Sequence, residues 1–212
     1  MNVLHICANP RPIEESTSKQ LAAAFFSKLI ELNQEVEVNN VDLYQESPPF
    51  LSYDGYRRLW KPVEEPGYEP TKREDMALHY VNKQTELFRS ADVLVLTMPM
   101  WQGGPPAIMK AWIDQMINPG VAYDLVEGNL RPLHQLRRIV LLVASGDIYK
   151  EDDPRDGITP IMRNAFNTIG IMDMDVAWAD GQNKDLYPDW EERKQTAIEA
   201  AQEIAEDLAE QP

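Results

Sequence analysis

Residues 91–116 read Ala91-Asp92-Val93-Leu94-Val95-Leu96-Thr97-Met98-Pro99-Met100-Trp101-Gln102-Gly103-Gly104-Pro105-Pro106-Ala107-Ile108-Met109-Lys110-Ala111-Trp112-Ile113-Asp114-Gln115-Met116. An apolar run of strand length stops at Pro99, a loop of Gly, Pro and one Trp follows, and helical periodicity begins at Ala107. A strand that passes through such a loop into a helix is how open α/β sheets build ligand sites at the carboxyl ends of their strands. Each residue type in the loop suits a flat ligand with polar edges. Pro99 ends the ladder, the glycines let backbone N–H groups come close, Trp101 offers a wide rigid face, and Gln102 carries both donor and acceptor. The same stretch also reads as an ordinary strand-to-helix connection around a buried tryptophan, so the rest of the chain has to decide.

Outward from this unit, apolar runs alternate with longer segments of helical periodicity, the pattern of βαβ units on a parallel sheet. Strands are expected near 2–8, 35–41, 92–98, 138–144 and 174–178, and helices near 18–32, 72–89, 107–116, 158–169 and 190–209. In the last helix Ala197, Ala201, Ile204, Ala205 and Leu208 share one stripe, away from Glu199, Glu203 and Glu206, as in a surface helix covering a sheet. Five strands fit a doubly wound three-layer sandwich in order 2-1-3-4-5, with the ligand at the switch point between the first and third strands. Chemistry is then expected in the loops after strands one, three and four. Residues 44–71 stand apart as a long, irregular, aromatic excursion, and such loops in compact domains are usually functional or disordered. Its aromatic residues point to a cover over a pocket or a contact with a second subunit.

A length of 212 residues suits one domain with one sizeable core. The net charge of −15 argues against a nucleic-acid or anionic-membrane surface, so an anionic ligand has to be held by local donors. The single cysteine, Cys7, excludes an intrachain disulfide and a cysteine-rich zinc site. No apolar run approaches a membrane span, and the protein is expected to be soluble and cytoplasmic. His5, His79 and His134 are scattered without ligand spacing, so no metal site and no metal-dependent hydrolase is expected.

After the first strand, Ser16, Thr17 and Ser18 fall at a helix start, where hydroxyls, free N–H groups and the positive end of the helix dipole would receive a phosphate. One serine there would read as an N-cap alone; three hydroxyls at the switch point favour phosphate. The loop has neither G-x-x-x-x-G-K-[ST] nor G-x-G-x-x-G, which disfavours a P-loop NTPase and a dinucleotide Rossmann site. After the fourth strand, Ser145 and Gly146 are expected to present backbone N–H groups to a ligand edge, and Tyr149 a phenol as proton source. A phosphate acceptor, a hydrogen-bonding cradle for a planar heterocycle and an aromatic wall together suit flavin mononucleotide.

At these residues the chain resembles the flavodoxin-like NAD(P)H:quinone oxidoreductases and FMN-dependent azoreductases, among them the drug-activity modulator B and DT-diaphorase relatives. The match is strongest over 99–114 and at Pro119-Gly120-Val121-Ala122-Tyr123. The resemblance implies that Ser16 and Ser18 bind the flavin phosphate, that Pro99, Met100, Trp101, Gln102 and Gly103 form the ring loop, and that Ser145 and Gly146 hold the pyrimidine edge. It implies Tyr123 beside the substrate pocket, FMN or alternatively FAD as cofactor, and NADH or NADPH as donor to a quinone, azo or nitroaromatic acceptor. It further implies a homodimer with residues 44–71 lining the partner's site. The family's Gly-Gly pair after strand four is Gly146-Asp147 here, and a carboxylate facing the flavin would oppose negative charge on its reduced form; Asp147 is therefore expected to point outward. A family histidine shortly after this loop is missing, with Tyr149 the nearest replacement. The competing reading is a non-catalytic electron carrier of flavodoxin type, which the acidic surface would suit.

Overall fold

The computed structural model describes residues 1–150 and 152–210. Five parallel strands, β1 (Asn2–Cys7), β2 (Glu37–Asp42), β3 (Val93–Pro99), β6 (Arg138–Ala144) and β7 (Asp173–Ala179), form the main sheet in spatial order β2-β1-β3-β6-β7. The connections carry α1 (Thr17–Leu32), α2 (Tyr53–Glu64), α3 (Lys72–Ala77), α4 (His79–Ser90), α5 (Ala107–Met116), α6 (Thr159–Asn167) and α7 (Trp190–Glu210). A separate antiparallel hairpin, β4 (Tyr123–Val126) with β5 (Asn129–Pro132), lies between α5 and β6.

Alternation along the strands divides the interior in two. Leu4, Ile6, Leu94, Leu96, Ile139 and Leu141 face α2, α4, α5 and α6, where Phe88, Trp112 and Phe166 are buried. Val3, Val93, Val95, Val140 and Leu142 face α1 and α7, meeting Leu21, Phe25, Ala197, Ala201 and Ala205. Each large apolar side chain so buried contributes roughly 1.5–3 kcal/mol. The small residues on α7 let it lie close against α1 and the sheet. Central strand β3, flanked on both sides, is apolar on both faces.

Several expectations need correction. The hairpin takes two strand numbers, so in chain order the sheet reads 2-1-3-6-7 rather than 2-1-3-4-5. Its strands have four residues each, too short and too polar to stand out, and they turn through Glu127 and Gly128 at φ 53° and 80°. The expected helix 72–89 is broken at Leu78, which leaves the helical region (φ −97°, ψ 13°) between α3 and α4. Residues 44–71, expected to be irregular, contain α2. Ser52 caps it by accepting from the Gly55 N–H at 3.1 Å, and it contains Pro62. Gly55 and Pro62 are the helix-weakening residues that hid it.

Candidate functional site

At the carboxyl end of β1, Ser16 has an extended backbone and caps α1, its Oγ accepting the Lys19 N–H at 3.2 Å. Asn9 is 3% exposed, and its Nδ2 donates to Ser16 Oγ at 2.7 Å and to Ser18 Oγ at 3.0 Å. The N–H groups of Thr17 and Ser18 have no intrahelical acceptor. The Thr17 hydroxyl is committed elsewhere: it donates to Gln182 Oε1 at 3.2 Å and ties α1 to the loop after β7. Of Thr17, only the backbone N–H suits an anion.

At the end of β3, the Met100 N–H donates to Ala144 O at 2.8 Å, which extends the ladder one residue past Pro99. Trp101 and Gly104 exchange backbone hydrogen bonds at 2.9 and 3.0 Å around Gln102 and Gly103, whose φ values are 50° and 79°. Two positive φ angles make this a type I′ turn, and it holds Trp101 39% exposed, with a face of its ring open to the cavity it lines. A Cβ on Gly157 would lie 2.1 Å from Gly103 O, so the loop before α6 is in backbone contact with the turn.

At the end of β6, Ser145 does not supply the expected donor. Its N–H is given to Ala179 O at 3.0 Å, and its hydroxyl donates to Asp147 O at 2.9 Å while accepting Trp178 Nε1–H at 2.8 Å. That leaves the Gly146 N–H as the donor of this loop. Asp147 accepts hydrogen bonds from the Tyr187 hydroxyl, from the Ile148 N–H at 2.9 Å and from Arg155 Nη1 at 2.6 Å. These partners, Tyr187 foremost, lower its pKa, and Arg155 compensates its charge.

Asn9, Ser16, Thr17, Ser18, Pro99, Met100, Trp101, Ser145 and Gly146 line one cavity of about 400 Å³. The sequence reading missed three groups there: Asn9, the loop after β7 with Gln182 and Lys184, and Trp190 with Lys194 at the start of α7. Lys184 Nζ and Lys194 Nζ lie 4.3 and 5.2 Å from the Trp190 ring centroid. An unusually placed Trp between two lysines in so acidic a chain was the available signal. Gln102 and Gly103 sit at the tip of the turn and do not line the cavity. Tyr123 is 6% exposed within the core, where burial pushes its pKa up, and it does not reach the cavity either. Tyr149 lines a neighbouring cavity of about 930 Å³, stacked on Trp178 at 5.3 Å with the Arg155 guanidinium 4.9 Å from its ring.

A family model described as flavodoxin-like fold matches residues 1–205. The chain belongs to the flavodoxin-like fold family. Within this family it is similar to an FMN-dependent NADH:quinone oxidoreductase of Azotobacter vinelandii, 33% identical over 80% of this chain and 83% of that protein. One of the same name from Beijerinckia indica is 30% identical over 85% of this chain and 88% of its own. Among solved structures, an azoreductase from Bacillus anthracis superposes with a TM-score of 0.84 at 26% identity, covering 96% of this chain and 98% of that one.

The donor set of this flavodoxin-like chain fits a flavin phosphate ester. Hydroxyls on Ser16 and Ser18, two first-turn N–H groups and the cations Arg11, Lys184 and Lys194 line the cavity, where the three cations outnumber the carboxylates Glu14 and Glu15. The exposed face of Trp101 and the Gly146 N–H belong to the same cavity and suit the wall and the edge donor that a planar heterocycle needs. Among the described residues no cluster of metal-ligating side chains occurs, and no helix is long and apolar enough to cross a membrane.

Proposed function

We propose that this chain is an FMN-dependent NADH:quinone oxidoreductase that also reduces azo compounds by two electrons, in two alternating half-reactions. The observation that carries the reading is the meeting, in one cavity at the carboxyl ends of β1, β3 and β6, of the Ser16–Ser18 hydroxyls, the Trp101 face and Gly146. The names of the relatives support it. When bound, FMN supplies hydride chemistry between NADH and a quinone or azo acceptor.

The chain's own residues orient and balance charge. Ser16 and Ser18 hydroxyls with the Thr17 and Ser18 N–H groups hold the phosphate; Pro99, Met100 and Trp101 wall the ring; the Gly146 N–H donates to its polar edge, where negative charge develops on reduction. Arg155 keeps the Asp147 carboxylate from opposing that charge. The Tyr149 Oη, in the adjoining cavity, is the proton source for the acceptor. The fold is a single domain acting in the cytoplasm as a homodimer. Phe50 and Tyr53, 81% and 71% exposed in the excursion at 44–71, support a second copy as the missing cover.

Mass and absorbance of the cofactor released from purified protein test the assignment, together with NADH oxidation in the presence of a simple quinone and no partner reductase. FMN and turnover are expected. FAD in its place would require room for an adenosine beyond the phosphate subsite, and failure of NADH to reduce the bound flavin would favour the electron carrier.

A further inference from the structure

Asn9 is buried at the centre of the hydroxyl cluster, on the residue just past β1 and its Ala8 neighbour, and its amide has one orientation. The Arg11 N–H donates to its Oδ1 at 3.0 Å, so the oxygen is held away from the serines and Nδ2 is directed at them. Nδ2 carries two hydrogens, one for Ser16 Oγ at 2.7 Å and one for Ser18 Oγ at 3.0 Å.

The hydrogen count of the cluster then has few solutions. Ser16 Oγ accepts from Asn9 and from the Lys19 N–H at 3.2 Å, which fills both of its lone pairs. It can take nothing from Ser18, although the two hydroxyl oxygens are 3.4 Å apart. The Ser18 proton is therefore excluded from the cluster. The Ser16 proton has one internal acceptor, Ser18 Oγ, at a distance near the limit of a hydrogen bond, and otherwise it too points into the cavity. A buried group of three polar side chains, 3%, 2% and 0% exposed, thus offers at least one outward hydroxyl proton, that of Ser18, and more protons than free lone pairs in either arrangement of the Ser16 hydroxyl. Such a group favours an acceptor-rich anion over a hydrogen-bond donor.

We propose that Asn9 is the positioning residue of the phosphate subsite: by donating to both serine oxygens it turns the Ser18 hydroxyl proton outward, with that of Ser16 free to follow, and makes the cavity discriminate a phosphorylated flavin from the dephosphorylated one. It acts through Ser16 and Ser18, and the inference rests on the flavin reading given above. A serine at position 9 would have a single proton for two oxygens. A carboxylate there, of the same shape, would accept both serine protons and add a negative charge, inverting the subsite.

The test compares apoprotein affinities for FMN and riboflavin, by quenching of flavin fluorescence, in the native protein and in Asn9→Asp and Asn9→Ala. The native protein is expected to prefer FMN. Asn9→Asp should lower FMN affinity on the order of a hundredfold or more while changing riboflavin affinity by less than about threefold. Asn9→Ala, which removes the orienting donor without adding charge, should reduce the FMN preference about tenfold and keeps the test alive if the aspartate variant fails to fold. Equal loss of both flavins in Asn9→Ala would make Asn9 merely structural and overturn the proposal, as would an undiminished FMN preference in either variant. A native apoprotein that binds neither flavin would overturn the flavin reading itself, an outcome distinct from the other two.

Discussion

His5 shows what burial of one side chain does to the whole stability profile. Its ring is 9% exposed beneath Phe26; Nδ1 donates to Asn40 Oδ1 at 2.8 Å, and Nε2 accepts the Thr97 hydroxyl at 2.9 Å. Burial outweighs the Asn40 hydrogen bond and pushes the pKa down to about 4. The unfolded chain takes up this proton near pH 6.5 and the folded one only near 4. The contribution is therefore complete above pH 6.5 and is lost as pH falls between those values, at a slope of up to ~1.4 kcal/mol per pH unit. His5 should account for roughly 2 kcal/mol of the stability lost in urea unfolding between pH 7.5 and 5.0, and His5→Gln should remove that share while leaving the smaller loss from His134, whose pKa burial also lowers. Gly157 is a second single-residue constraint. Because a methyl group there would meet Gly103 O at 2.1 Å, Gly157→Ala should displace the Trp101 turn. Thermal and urea denaturation should read a loss of about 1–3 kcal/mol, with weakened flavin binding alongside.

At the scale of elements, the strands were legible because a parallel sheet covered on both faces demands continuous apolar runs, and 92–98 and 138–144 are such runs. The excursion was not, because α2 owes its stability to partners far away in sequence. Arg57 Nε donates to Glu74 Oε1 at 2.7 Å and Nη2 to the Tyr68 hydroxyl at 2.8 Å, joining α2 to α3. The Thr71 N–H, first, and then Arg57 hold the Glu74 carboxyl down at about 2. Trp60 Nε1–H reaches Asn118 Oδ1 at 3.2 Å, and the Gln115 amide donates to Pro49 O. Arg57→Ala should open residues 53–77 to amide hydrogen exchange while leaving β1, β3 and β6 protected, since no strand depends on the Arg57–Glu74 pair. Unchanged exchange in 53–77 would mean that packing of Leu59 and Trp60 alone holds the segment.

Over the whole molecule the charge of −15 opposes any anionic ligand, yet Arg11, Lys184 and Lys194 line the same cavity as the serines and outnumber its two carboxylates, Glu14 and Glu15. Reversing two of them, Lys184→Glu with Lys194→Glu, should weaken FMN binding about tenfold or more at low salt. The deficit should shrink at high ionic strength, with riboflavin scarcely affected. An FMN affinity insensitive to both substitution and salt would leave the hydroxyl cluster as sufficient. The amino-acid sequence by itself determined the βαβ alternation and pointed to the loops after β1, β3 and β6, whose Ser16, Ser18, Trp101 and Gly146 line one cavity. All of these follow from local periodicity and from residue chemistry that neighbours in the chain can reveal. Only the tertiary structure decided that the Ser145 N–H and the Thr17 hydroxyl are already committed, that Tyr123 is sealed in the core, and that Asn9, Gln182 and Trp190 close the site. Hydrogen-bond saturation and burial are set by atoms brought together from distant segments, such as Thr17 and Gln182 at a sequence separation of 165, and no local pattern records them.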